Sequence, residues 1–336
     1  MDLAQALWLV AAAATLLLVV GLAALAFALW RDPYRLVRAE YARQRIALGF
    51  ARRTLSVDGH RWVYVEHASA PRDAATLVML HGYTGGKENW YRLAERLRGR
   101  FRLLAPDLPG WGESERKLDA DYGYAAEAGH VAAFLRAVAG GPVVLLGHSM
   151  GGGIAALVAA RTPALVSHLV LLDAAGVEFA ENDFAGVVLS GGNPFGVADA
   201  ASLEHYLSIL FHERSTRPPV PWPAAHVLAA HRRREAAFEQ SVLDRIGRGP
   251  EQFLPAEEAV RIRQPTLLVW GAQDRVVDAS AMDLYAARIP QARTLLLPEC
   301  GHMSLMECPD AVADAVRSLL DGRPRQGVPG HEEEPA

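Results

Sequence analysis

The 336-residue chain has only two cysteines, Cys300 and Cys308, and only two lysines, Lys87 and Lys117. Two cysteines cannot build a disulfide framework, and neither has histidine or cysteine neighbours at zinc spacing, so reduced thiols are expected. A formal net charge of −4 gives no basic field for a phosphate backbone, and no nucleic-acid-binding motif occurs; nucleic acid is excluded as a partner. Internal repeats are absent, and nothing implies a metal or an organic cofactor. The near-exclusive use of arginine as the basic residue, in an alanine-rich chain, fits a GC-rich bacterial coding sequence.

What is abundant is apolar. Hydrophobic residues make up 51% of the chain, ample for one large α/β domain with an inserted subdomain. From Leu3 to Trp30 no charge interrupts "LAQALWLVAAAATLLLVVGLAALAFALW", a run long enough to cross a hydrocarbon core of about 30 Å as a helix. Trp8 and Trp30 stand near its ends, where interfacial aromatics are favoured. A cleaved signal peptide is the rival reading, but "MDLAQ" has no positive n-region and the apolar run is too long. Residues 1–30 are therefore expected to be a retained anchor. Arg31, Arg35, Arg38, Arg43, Arg45, Arg52 and Arg53 follow it, with no lysine or arginine on its other side. That asymmetry predicts a single-pass protein of the inner membrane with its body in the cytoplasm. Residues 31–54 form a basic juxtamembrane segment, either a helix lying along the headgroups or a solvated linker.

Beyond it, strand-like and helix-like segments alternate. "RWVYVEHAS", "TLVMLHGYTGG", "FRLLAPDLPGWGES", "GPVVLLGHS", "HLVLLDAAG", "PTLLVWG" and "RTLLLPECGH" read as strands, several of them continuous apolar runs of the kind buried on both faces. Helical patterns lie between them, which predicts a mostly parallel, doubly wound sheet. The expected core spans residues 55–176 and 264–322. Between them, residues 177–263 offer apolar clusters divided by "NPFG" and "RPPVPWP" but no core strand, and read as a helical cap. The tail, 323–336, rich in Pro, Gly and Glu, is expected to be disordered.

The chemistry is signalled at "LLGHSMGGGIA". Ser149, boxed by Gly147 and Gly151 between a strand and a helix, fits a sharp turn that exposes the hydroxyl as a nucleophile. A serine needs a base held by a third group. "LLVWGAQDRVVD" places Asp274 just past one later strand, and "LLLPECGHMS" places His302 past the next. The order nucleophile, acid, histidine is the one found when this triad sits on an α/β-hydrolase sheet. Asp278 is the alternative acid, further from its strand end. Asp107 and Asp173 read as loop braces, His81 as a brace of its own loop, and His130 and His148 as packing or loop histidines. The oxyanion donors are expected to be the backbone N–H groups of Met150 and Tyr83.

The quoted motifs "HGYTGGKENW", "DLPGWGES", "GHSMGG", "WGAQDRVVD" and "CGHMSLMECP" together resemble the α/β-hydrolase superfamily from about Ser56 to Leu320. The chain is more closely similar to the membrane-anchored monoacylglycerol lipases of the α/β-hydrolase domain-containing protein six type. Those share a membrane helix ending in "LW", an "AG" after the strand that follows the serine helix, and "CGH" around the base. The cap departs from them, corresponding only through "NPF" and "PPVP". The resemblance implies hydrolysis of monoacylglycerol and related lipid esters at the cytoplasmic membrane face by Ser149, Asp274 and His302. Membrane tethering and the apolar cap residues Phe179, Phe184, Val187, Val188, Leu189, Phe195, Leu207, Ile209, Leu210 and Phe211 independently favour a lipid ester, although most of these residues are expected to form the cap's own core. A carboxylesterase for small soluble esters, and a carbon–carbon bond hydrolase or perhydrolase, reuse the same triad. An inactive membrane scaffold on a hydrolase fold is the reading from a different class.

Overall fold

A computed structural model of the chain describes residues 2–68, 71, 74–220 and 223–322; the tail expected to be disordered lies outside them. The chain opens with helix α1 (Leu3–Arg31), capped by Asp2, whose side chain accepts the Gln5 N–H. None of its residues is buried, and mean hydropathy reaches 2.6 over its most apolar stretch. Its 29 residues rise about 44 Å at 1.5 Å each, so by length and composition it qualifies as a membrane span. A second helix, α2 (Arg35–Ala47), follows after Asp32 and Pro33.

Eight strands form one sheet: β1 (Ala51–Val57), β2 (His60–His67), β3 (Thr76–Leu80), β4 (Arg102–Pro106), β5 (Val143–His148), β6 (Val166–Leu172), β7 (Thr266–Gly271) and β8 (Arg293–Leu297). Their spatial order is β1-β2-β4-β3-β5-β6-β7-β8. β2 runs antiparallel to both neighbours, and every pairing from β4 through β8 is parallel. Central strands β5 and β7 are buried at every position, as their unbroken apolar sequences require. β1 departs from expectation. It takes in residues assigned to the basic juxtamembrane segment, because it is a solvent-facing edge strand whose arginines are satisfied laterally. Arg52 pairs with Glu113 at 3.0 Å and Arg53 with Glu66 at 3.3 Å.

Helices α3 (Tyr91–Leu97), α4 (Tyr124–Val138) and α5 (Met150–Arg161) lie between β3 and β4, β4 and β5, and β5 and β6. α6 (Asp183–Leu189), α7 (Ala200–Leu210), α8 (Ala224–Gly247) and α9 (Leu254–Ala259) lie between β6 and β7, with no strand among the described residues there. α10 (Ser280–Arg288), α11 (Ser304–Glu307) and α12 (Pro309–Leu320) complete the chain. α4, α5, α9 and α10 pack in succession as one layer, and α3 with α12 as another. α9 thus packs with the core although it lies within the segment read as cap: the Ala256 N–H donates to the Gly176 carbonyl at 3.0 Å.

α2 docks on the body. Tyr34, at its N-cap, stacks on His231 of α8 with ring centroids 3.9 Å apart and planes 19° apart. Phe50, just past α2, is buried and stacks on Tyr91 at 5.8 Å.

Candidate active site

The serine turn is enforced by backbone contact. Ser149, between β5 and α5, sits at φ 54° and ψ −121°, a conformation that costs a residue with a side chain on the order of 1–3 kcal/mol. A Cβ on Gly147 would lie 2.2 Å from the Gly151 carbonyl oxygen, and one on Gly151 would lie 2.4 Å from the carbonyl oxygens of Leu80 and His81. Only glycine lets the two sides of the turn approach so closely. The turn is then held by its own peptide groups: the Ser149 N–H donates to the Leu172 carbonyl, and the Ser149 carbonyl accepts from Gly152, Gly153 and Ala175 at 2.8–3.1 Å.

The loops after β7 and β8 bring Asp274 and His302 together. His302 Nδ1 lies 2.8 Å from Asp274 Oδ2, while Asp274 Oδ1 accepts the N–H groups of Val276 at 2.7 Å and Val277 at 3.0 Å. Burial pushes the Asp274 carboxyl upward, and the two amide donors oppose it. Burial pushes the His302 imidazole down to about 3, with the Glu307 carboxylate opposing. A neutral imidazole with its Nδ1 proton on Asp274 leaves Nε2 as a lone pair, the state a general base requires. His302 and Ser149 line the same small cavity.

The alternative acid, Asp278, turns to the start of α10, where its Oδ1 accepts the Ser280 N–H at 2.9 Å. Asp107 accepts the Lys87 ammonium at 2.7 Å and the N–H groups of Lys87 and Glu113. His81 accepts the Leu108 N–H at Nε2, which places its proton on Nδ1 for donation to the Gly82 carbonyl at 2.8 Å. His130 lies apart from these residues, 3.5 Å from Glu127 and 3.8 Å from Asp58.

Three side chains support the loop that carries His302: Asp173, read from the sequence as a loop brace, His148, read as a packing or loop histidine, and Glu307, which no sequence pattern singled out. His148 donates from Nε2 to the His302 carbonyl at 2.7 Å, and burial, with the neighbouring His302, holds its imidazole down to about 3. Asp173 accepts the Ser304 hydroxyl at 2.5 Å and the Gly271 N–H at 2.9 Å. Glu307 accepts Gly301 N–H at 2.9 Å and, at 3.0 Å, the N–H groups of His212 and Glu213, tying the His302 loop to the segment after α7.

The N–H groups of Tyr83 and Met150 have no partner among the described residues. Both residues line a pocket that opens on Ser149. The Tyr83 hydroxyl donates to the Glu239 carbonyl of α8 at 2.6 Å, which ties the loop after β3 to that helix.

Two cavities meet at Ser149. The smaller is lined by His302, His148, Asn89 and Tyr206. The larger runs between the cap and the core and is walled by Phe184, Val188, Leu189, Phe195, Leu243 and Ile246. Phe179 also lines it, and Leu210 lines the smaller one, whereas Val187 is exposed. Six of the ten cap residues singled out from sequence therefore face a cavity, against the expectation that most would form the cap's own core.

The alpha/beta hydrolase family model matches residues 77–315. The chain belongs to that family. It is 30% identical to Lipase 1 of Psychrobacter immobilis over 290 residues, covering 84% of this chain and 89% of that protein. It is 26% identical to monoacylglycerol lipase ABHD6 of Homo sapiens over 304 residues, 88% of each chain. Among solved structures, a membrane phospholipase A described as a bacterial virulence factor superposes with a TM-score of 0.82 at 31% identity, covering 92% of this chain and 97% of that one.

Proposed function

We propose that this chain is a carboxylic ester hydrolase acting on lipid esters, with Ser149 as nucleophile, His302 as base and Asp274 as the acid that orients it. The observation that carries this reading is an apolar pocket between the cap helices and the sheet that opens directly on Ser149. In that pocket an acyl chain is desolvated while its carbonyl carbon rests beside the hydroxyl. His302 Nε2 takes the serine proton as Oγ attacks, and Asp274 stabilises the resulting imidazolium. The N–H groups of Tyr83 and Met150 receive the developing oxyanion. His302 then protonates the leaving alcohol, which departs through the smaller cavity, and a water activated in the same way releases the fatty acid.

The substrate within this class is a monoacylglycerol. That reading is supported by similarity to monoacylglycerol lipases over most of the chain. Phospholipid is the second reading, favoured by similarity to the membrane phospholipase A structure. The arginine-rich flank of α1 supports a body on the cytoplasmic side of the inner membrane.

The test is a panel of monoacylglycerols, diacylglycerols, phospholipids, lysophospholipids, short soluble esters and vinylogous diketones, given to wild type and Ser149→Ala in detergent. Serine-dependent preference for monoacylglycerol is expected. Preference for phospholipid selects the second reading, and turnover confined to short esters or diketones overturns the lipid assignment. Failure of Ser149 to react with a fluorophosphonate probe overturns catalysis altogether.

A further inference from the structure

The larger cavity is apolar along most of its wall, yet two of its side chains carry hydrogen-bonding groups that no described residue uses. Tyr124, the first residue of α4, is 1% exposed and lines the cavity, and its hydroxyl has no hydrogen-bond partner among the described residues. Gln252, two residues before α9, lines the same cavity, and its side-chain amide is equally without a partner among them. The two stand on one stretch of wall: Glu251, next to Gln252, accepts the N–H of Ala125, next to Tyr124, at 2.9 Å. Neighbouring tyrosines find carbonyls, Tyr83 at Glu239 and Tyr285 at Ala175, so the lone hydroxyl is particular to Tyr124 here.

Tyr124 packs on the first turn after the nucleophile. A Cβ on Gly153 would lie 2.7 Å from its ring, and Gly153 donates its N–H to the Ser149 carbonyl at 3.1 Å. An acyl chain that starts at Ser149 and runs into the cavity therefore meets Tyr124 part-way along its length. A phenylalanine would fill the same space, and the hydroxyl adds only a polar group, which is costly to bury unpaired. Buried polar groups are satisfied by protein, water or ligand, and the first is missing here. The wall does not suit an anion, because Glu251 and Asp121 share the single guanidinium of Arg245 behind it. Burial pushes the Tyr124 phenol up, and the Glu251 carboxylate adds to this, so the group stays a neutral donor.

We propose that Tyr124 and Gln252 select esters whose acyl chain carries a hydroxyl group part-way along it. This rests on reading the cavity as the acyl pocket of a serine esterase. The phenol O–H donates to the chain hydroxyl, which donates in turn to the Gln252 amide oxygen. A plain alkyl chain in the same place leaves the phenol and the amide unpaired. Sites built to hydrogen-bond a substrate hydroxyl discriminate strongly against the analogue that lacks it.

The experiment gives the full-length protein in detergent methyl decanoate and a series of methyl monohydroxydecanoates, the hydroxyl moved along the chain, and follows acid release by mass spectrometry. We expect one position to raise kcat/KM at least tenfold over decanoate. Tyr124→Phe removes one oxygen that no described residue contacts, and should bring that ratio to within twofold of one; Gln252→Met, similar in length, should lower it at least threefold. A structural role for Tyr124 would slow both esters together and leave the ratio where it was. The absence of a preferred position in the wild type, or a ratio undiminished in either variant, would overturn the proposal. If no ester is hydrolysed, the proposed function fails, and equilibrium dialysis of decanoic acid and the hydroxydecanoic acids decides the site. Tighter binding of one hydroxy acid by the wild type but not by Tyr124→Phe supports it, and equal binding by the two proteins overturns it.

Discussion

Asp274→Asn tests the proton logic of the site with no change in size. In the parent, one carboxylate oxygen accepts two backbone N–H groups at 2.7 and 3.0 Å, and the other faces His302 Nδ1 at 2.8 Å. An asparagine must choose. With its oxygen toward Val276 and Val277, its NH2 group faces His302 and donates to Nδ1. The imidazole proton then moves to Nε2, the nitrogen that must accept the proton of Ser149, and the base is disabled. The flipped amide restores the tautomer but leaves two buried N–H groups unsatisfied, at about 1–3 kcal/mol each. The disabled form is therefore favoured by about 2–6 kcal/mol, which lowers kcat by roughly 30-fold to 10⁴-fold at one decade per 1.4 kcal/mol. The assay is the kcat for a p-nitrophenyl ester in detergent, with the melting temperature as the control for folding. A correctly folded variant within threefold of wild type would refute the acid assignment and the tautomer argument with it.

Ser149→Ala should abolish ester hydrolysis while its melting temperature stays within a few degrees of wild type; residual turnover in the pure variant would point to another nucleophile. Tyr83→Phe keeps the proposed oxyanion donor and removes only the hydroxyl bonded to Glu239. Steady-state kinetics should show kcat down by about fivefold, from a hydrogen bond worth ~1 kcal/mol, with KM for a short ester little changed; an unchanged kcat would uncouple the cap from the oxyanion loop. Glu127 is buried with neither oxygen hydrogen-bonded, and burial pushes its carboxyl up to about 7 despite the neighbouring His130. Its folded-state value exceeds the unfolded one, so its contribution is present below about 4.5 and is lost as pH rises through 7. Glu127→Gln should consequently gain up to about 3 kcal/mol of relative stability between pH 4.5 and pH 8. Urea unfolding at the two pH values measures this, and a parallel pH response in both proteins would contradict it.

The parallel core was legible because strands buried on both faces cannot hide: "VVLLGH" and "TLLVWG" are apolar at nearly every position, and each ends in a turn bearing a candidate site residue. β1 was not, since an edge strand exposing Arg52, Arg53 and Thr54 carries no apolar run and its arginines looked like a continuation of the membrane flank. The contacts that His148 and Glu307 make with the His302 loop escaped for a different reason. His148 reaches the His302 carbonyl across 154 positions, and Glu307 serves two chain segments at once, so neither contact has a local pattern. In the cap, Phe184, Val188 and Leu189 are apolar whether they face a cavity or a private core. The choice is made by where α8 lies, and no periodicity within the seven residues of α6 encodes that.

The stacking of Tyr34 on His231 sets a limit on reach. Helix α1 ends at Arg31 and the first side chain seated on α8 is Tyr34, three steps along the chain. Fully extended, three residues span only about 10 Å. With α1 in a bilayer, the body is held on a leash too short to leave the surface or to visit a neighbouring vesicle. Such an enzyme works in cis: it meets only lipids diffusing in its own membrane, and its rate follows their surface density there rather than their total concentration in the sample.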